Sequence, residues 1–119
     1  MQFVRVHLQL AAVAVSLVAP GTALAASAEN GKTAYVKNGC WQCHGYEGQG
    51  SVTTSAGRVI AGTPLPADAF SAYVRRPSGA MPPFSAAILP DADLADIYAY
   101  LEARPKPKSS KDIPLLSGQ

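Results

Sequence analysis

The sequence has few of the residues from which a packed core is usually built. Val, Ile, Leu and Phe make up only 16 of the 94 residues that follow residue 25, whereas Pro and Gly supply 18 of them. A fraction this low is typical of chains without a fixed fold, but the net charge is too small for such a chain. A domain this small therefore needs a further component around which to fold.

Charge of either sign is also scarce. After residue 25, nine Lys and Arg residues stand against eight Asp and Glu residues. Nucleic-acid binding usually requires a clear basic excess, so we expect no nucleic-acid partner. At 119 residues the chain has room for one small domain, which excludes multi-domain enzymes and large cofactor-binding sheets.

No apolar run is long enough to cross a membrane. The apolar stretch Leu8–Ala19 falls short of the roughly 20 residues that a bilayer-spanning helix needs. Arg5 precedes this stretch, and the small residues Ala23 and Ala25 follow it, which is typical of a secretory signal peptide. We therefore predict a cleavable signal over residues 1–25, export to the periplasm, and no membrane span after processing.

Apolar spacing predicts three short helices and no sheet. The first covers about Asn30 to Asn38, and the second begins near Pro66 and ends before Pro77. The third begins with Asp91 as its N-cap. Its apolar residues fall at helical spacing and are Leu94, Ile97, Tyr98 and Leu101. We predict a mainly α domain over residues 26–104, followed by a mobile tail rich in Pro, Lys and Ser over residues 105–119.

The segment Cys40-Trp41-Gln42-Cys43-His44 has the C-x-x-C-H pattern of c-type haem attachment. On a helical turn, residues three apart lie on one face, about 4.5 Å apart along the axis, so two thiols reach the two vinyl groups on one porphyrin edge. His44 then projects under the ring centre as an iron ligand. The pattern predicts one haem c per chain, joined to Cys40 and Cys43, and the haem supplies the missing apolar mass.

Three other interpretations of this motif have less support. A thioredoxin-like dithiol belongs to a strand-helix-strand setting, which the sequence does not predict. A structural zinc site normally has four protein ligands, and only two Cys and one His remain after residue 25. A plain disulfide between Cys40 and Cys43 would close a very small loop and constrain the unfolded chain little.

Met81 is the only methionine after residue 25, and it is our candidate for the second axial iron ligand. It stands in Gly79-Ala80-Met81-Pro82-Pro83-Phe84, where two prolines stiffen the chain beside the sulfur. The alternative is a gap-filling core methionine. Its position in a Pro-rich loop, outside any apolar helical stripe, favours ligation.

These residues resemble those of class I c-type cytochromes, particularly the short bacterial monohaem proteins. The resemblance covers roughly residues 30–104. It implies a cytochrome c fold, in which short helices wrap around one covalently bound haem. It also implies that the first and last helices cross, with Gly31 and Tyr35 against Leu94 and Tyr98.

The sequence departs from this family just after the haem motif. Many relatives have a Gly-Pro-Arg-like stretch whose proline carbonyl accepts the second ring proton of the histidine. Here Gly57 takes that place, so we expect its carbonyl to accept the bond from His44. The next residue, Arg58, is the candidate to contact a haem propionate.

The resemblance implies a one-electron carrier rather than an enzyme. Its partners would be redox proteins, with a dehydrogenase as donor and an oxidase or another cytochrome as acceptor. A permanent haem-bearing subunit of a periplasmic dehydrogenase complex fits equally well. A peroxidase or gas sensor fits poorly, because no second histidine follows residue 25.

Basic residues near the expected haem edge and in the tail are candidates for steering an acidic partner, or else are ordinary solvated charges. They are Arg75, Arg76, Arg104, Lys106, Lys108 and Lys111.

Overall fold

The computed structural model describes residues 25–51 and 57–115, so most of the expected signal peptide lies outside the described residues. Four helices follow one another along this part of the chain. They are α1 (Ala28–Lys37), α2 (Trp41–His44), α3 (Ala67–Arg75) and α4 (Asp91–Glu102). A 3-10 turn at Ser110–Asp112 follows them. No strand occurs within the described ranges, which agrees with the predicted mainly α fold.

Helix α1 begins two residues earlier than the sequence predicted, because Ser27 caps it. The Ser27 hydroxyl accepts a hydrogen bond from the Asn30 N–H at 3.3 Å, which satisfies one of the free donors of the first turn. The Ser27 N–H in turn donates to the Asp96 carboxylate at 2.6 Å. The cap therefore also ties the start of α1 to α4.

The prediction of Asp91 as the N-cap of α4 is wrong. Pro90 holds that position, and its carbonyl accepts the first helical bond from the Leu94 N–H at 3.0 Å. A proline has no N–H to donate, so it loses nothing at this boundary. Asp91 is the first residue of the helix, and its side chain pairs with Arg75 instead.

Helices α1 and α4 cross at a glycine. A Cβ built on Gly31 would lie 1.9 Å from the Asp96 carbonyl oxygen, so only glycine allows this close approach. One turn along α1, the Tyr35 ring packs on Tyr100, with 5.6 Å between the ring centres. The two helices therefore pack together as one α1–α4 unit.

The prediction that Tyr98 is the aromatic residue of α4 that packs against Gly31 and Tyr35 is wrong. Tyr100 lies three residues after Ile97 and shares its buried face, whereas Tyr98 lies on the flank of the helix. There the Tyr98 ring packs on Phe70 of α3 at 5.4 Å, and its hydroxyl donates to the Leu65 carbonyl at 2.9 Å. Tyr98 thus joins α4 to α3.

The buried core is small. Its members come from α1, α3, α4 and the turn before α4, and they are Ala34, Tyr35, Phe70, Val74, Leu89, Leu94, Ile97, Tyr100 and Leu101. None of the helices in the described ranges is long and apolar enough to cross a membrane.

We predict that Gly31→Ala destabilises the protein, because the added methyl group must push α1 away from the Asp96 carbonyl. Overpacking of this kind costs about 1–3 kcal/mol, more than alanine gains in helix propensity. Denaturant unfolding measures the loss, and Lys32→Ala, at the exposed neighbouring position, is the control. Equal stability of the two variants would contradict the close crossing.

Candidate functional site

A cavity of about 950 Å³ lies between the helices and their connecting loops. Most of its walls are apolar, and several belong to the core, such as Leu94, Ile97 and Leu101. The volume lies near the upper end of the range for ligand pockets, roughly 300–1,000 Å³. Each of the site residues predicted from the sequence lines this one cavity. They are Cys40, Cys43, His44, Arg58 and Met81.

The two cysteines stand one helical turn apart. Cys40 is the N-cap of α2 and already has helical backbone angles, with φ −56° and ψ −35°. Cys43 lies three residues later, on the same face. Gly45 then ends the helix with φ 77°, a conformation that suits glycine. The local fold therefore gives the two thiols the spacing on which thioether attachment depends.

Burial raises the pKa of the Cys40 thiol to about 11, and the nearby Cys43 adds to the shift. The group is therefore a protonated thiol at neutral pH in the folded polypeptide. Redox-active dithiols work the opposite way, with a lowered pKa that supplies a thiolate. This environment does not fit the thioredoxin-like alternative.

The His44 ring is held by a backbone carbonyl. Its Nδ1 lies 2.8 Å from the carbonyl oxygen of Arg58. A carbonyl only accepts hydrogen bonds, so this contact places the ring proton on Nδ1 and leaves the Nε2 lone pair available to a metal. With Nδ1 engaged in this way, Nε2 is the ring nitrogen left to bind a metal.

The acceptor for His44 is one residue later than we expected. Gly57 packs directly on the attachment motif: a Cβ there would lie 1.6 Å from the Cys43 carbonyl oxygen. The Gly57 carbonyl accepts instead from the Ser51 N–H at 3.1 Å. The next carbonyl, that of Arg58, therefore meets the histidine ring.

Two buried tyrosines hold the turn that follows His44, a role that the sequence analysis did not anticipate. The Tyr35 hydroxyl donates to the Gly45 carbonyl at 2.7 Å, and the Tyr100 hydroxyl donates to the Tyr46 carbonyl at 2.8 Å. Burial raises the pKa of Tyr35 well above its ordinary value and also raises the pKa of Tyr100. Both hydroxyls therefore remain neutral donors, which ties the α1–α4 unit to the motif.

Arg104 is not the free tail charge that we expected. Its guanidinium donates to the Glu47 carboxylate at 2.5 Å and lies over the Tyr100 ring, 5.0 Å from the centre. The hydrogen bond from Arg104 lowers the pKa of the Glu47 carboxyl group. The end of α4 is thereby joined to the loop after His44, so Arg104 serves the fold.

Met81 lies in the loop between α3 and α4. Its side chain is half-buried and packs against the core, as does the half-buried side chain of Phe84. The Phe84 N–H donates to the Val74 carbonyl at 3.2 Å, and its carbonyl accepts from Arg75 at 2.9 Å.

Arg75 also pairs with Asp91. Like Arg104, Arg75 is therefore engaged within the protein rather than free to steer a partner.

We predict that Tyr35→Phe lowers the free energy of unfolding by about 1–2 kcal/mol, because it leaves the Gly45 carbonyl without its partner. The loss depends on pH. Below the ordinary tyrosine pKa of 10.0 the hydroxyl is neutral in both the folded and the unfolded states. Above that pH the unfolded chain ionises while burial keeps folded Tyr35 neutral, so wild type loses part of its advantage.

Denaturant unfolding at about pH 8 and about pH 11 tests this dependence. The control is Tyr46→Phe, at an exposed position, which should cost less than about 0.5 kcal/mol. A wild-type advantage over Tyr35→Phe that grows with pH would contradict the assignment.

The cavity has the groups that a covalent haem requires: two thiols one helical turn apart, an imidazole with a free Nε2, and an apolar wall around them. No curated protein and no solved structure matches the chain. Residues 26–101, more than half of the chain, match the family described as cytochrome c oxidase, cbb3-type, subunit III. The chain belongs to this family and is a class I c-type cytochrome, with haem c as its covalently bound cofactor.

Proposed function

We propose that this protein is a periplasmic monohaem cytochrome that carries one electron at a time. Cys40 and Cys43 would form the thioether links to the haem, and His44 and Met81 would be the two protein ligands of its iron. One observation carries the proposal: the only histidine and the only methionine after residue 25 line the same apolar cavity as both thiols.

A bound haem would supply the redox centre, with accessible Fe(II) and Fe(III) states. The chain adjusts that centre in three ways. The soft sulfur of Met81 favours the ferrous state, and the apolar wall disfavours the extra charge of the ferric state. The Arg58 carbonyl fixes the His44 ring and increases its basicity.

If His44 and Met81 both stay bound in each oxidation state, they would limit the rearrangement that accompanies electron transfer. The frame around the motif supports this, because Tyr35 holds the Gly45 carbonyl directly after His44 and the Arg58 carbonyl holds the His44 ring itself. This arrangement of the site supports electron transfer rather than catalysis on a substrate.

Arg58 is our proposed partner for a haem propionate. Its side chain is exposed at the cavity wall, close to Tyr73. Hydrogen bonds with Ser78 lower the pKa of Tyr73, and the charge of Arg58 contributes. This corner of the cavity therefore combines a positive charge with hydroxyl groups, which suits a carboxylate.

The periplasmic location rests on the signal pattern over residues 1–25, and cytochrome c domains are typically exported. A second candidate is a permanent electron-transfer subunit. The family description names a subunit of an oxidase, which favours such a role. The alternative stated from the family resemblance was a subunit of a dehydrogenase complex. A free carrier should purify alone from its native host, whereas a subunit should purify with its catalytic partner.

We predict that the matured wild type shows one haem per chain in a pyridine haemochrome assay and a near-red sulfur-to-iron charge-transfer band in the ferric state. Met81→Ala should keep the covalent haem and lose the band, because the sulfur ligand is gone. Leu65→Ala, at a cavity wall position with no iron-binding atom, is the control and should keep the band. Retention of the band in Met81→Ala would exclude Met81 as the ligand.

A further inference from the structure

Arg75 joins three parts of the molecule. It is the last residue of α3, and its Nη1 donates to the Phe84 carbonyl at 2.9 Å. Its Nη2 meets the carboxylate of Asp91, the first residue of α4, at 2.5 Å. The guanidinium fork therefore connects α3, the loop that carries Met81, and the start of α4.

The loop depends on this contact. Both backbone groups of Phe84 are held from α3, the N–H by the Val74 carbonyl and the C=O by Arg75. Between Phe84 and Met81 stand only Pro82 and Pro83, whose rings restrict the backbone. A fixed Phe84 backbone therefore fixes the position of Met81 through a stiff connection.

The inner half of the contact is shielded from water. The Arg75 side chain is 21% exposed, whereas Asp91 is 86% exposed. Water replaces a shielded hydrogen bond less easily than an exposed one, and bonds from a charged donor are stronger than neutral ones. We therefore expect the bond to the Phe84 carbonyl to contribute more than the outer ion pair.

We propose that Arg75 is a positioning residue that keeps Met81 on the iron by holding its loop against α3 and α4. This inference rests on the proposed ligation by Met81. It assigns Arg75 to the control of ligand exchange, because a competing ligand reaches the iron only when the Met81 loop moves away.

Cyanide binding to the ferric, haem-loaded protein measures that opening. If a substitution increases the fraction of molecules in which the loop is open, the apparent affinity for cyanide increases by the same factor. We expect Arg75→Gln to bind cyanide about tenfold more tightly than wild type, because a charged hydrogen bond to the loop is lost. The matched control is Arg76→Gln, which makes the same change one residue later, at an exposed side chain.

Asp91→Asn tests the outer half of the contact, with Asp93→Asn in the same first turn of α4 as its control. We expect Asp91→Asn to shift cyanide affinity in the same direction as Arg75→Gln, but less, and Asp93→Asn to leave it unchanged. If Arg75→Gln yields no loaded protein, the comparison of these two variants decides the proposal.

The outcomes separate failure of the proposed function from failure of the inference about Arg75. If Met81→Ala binds cyanide no more tightly than wild type, Met81 is not the ligand and the proposed function fails with the inference. If Met81→Ala binds more tightly but Arg75→Gln matches Arg76→Gln, ligation stands and the role of Arg75 is wrong. If Arg75→Gln has a lower free energy of unfolding but an unchanged cyanide affinity, Arg75 has a purely structural role. That result overturns the proposal.

Discussion

The structure depends on filling one apolar cavity. A volume of about 950 Å³ is large for a domain whose core contains so few aliphatic side chains. Folded interiors are normally packed about as densely as organic crystals, so an apolar volume of this size requires a group that fills it. The haem is therefore part of the core, and the scarcity of Val, Ile, Leu and Phe follows from its presence.

Different residues hold the two sides of this cavity. On the side of the attachment motif, Tyr35 and Tyr100 reach from the crossed helices α1 and α4 to the turn after His44. On the side of Met81, Arg75 fixes a loop that has no helix of its own. On both sides, hydrogen bonds to backbone carbonyls thus hold the chain in place, which a larger apolar core would otherwise do.

The sequence predicted the parts that depend on local spacing. The turn at Cys40–His44, the three longer helices and the assembly of His44 and Met81 at one cavity all follow from motifs and periodicity. Details that depend on tertiary contact escaped it. Burial distinguishes Tyr100 from Tyr98, and the close packing of Gly57 on Cys43 moves the acceptor for His44 to Arg58. No spacing rule carries that information, nor does any show that Arg75 and Arg104 are paired.

The most direct test of the account is the mass of the peptide that contains residues 40–44, released by proteolysis from protein matured in a host that attaches haem. We predict that this peptide carries the added mass of one haem and that the added mass survives denaturation, because two thioether bonds hold it. A peptide of the bare polypeptide mass, from protein that matured fully, would contradict the central claim that the haem is covalently part of this fold.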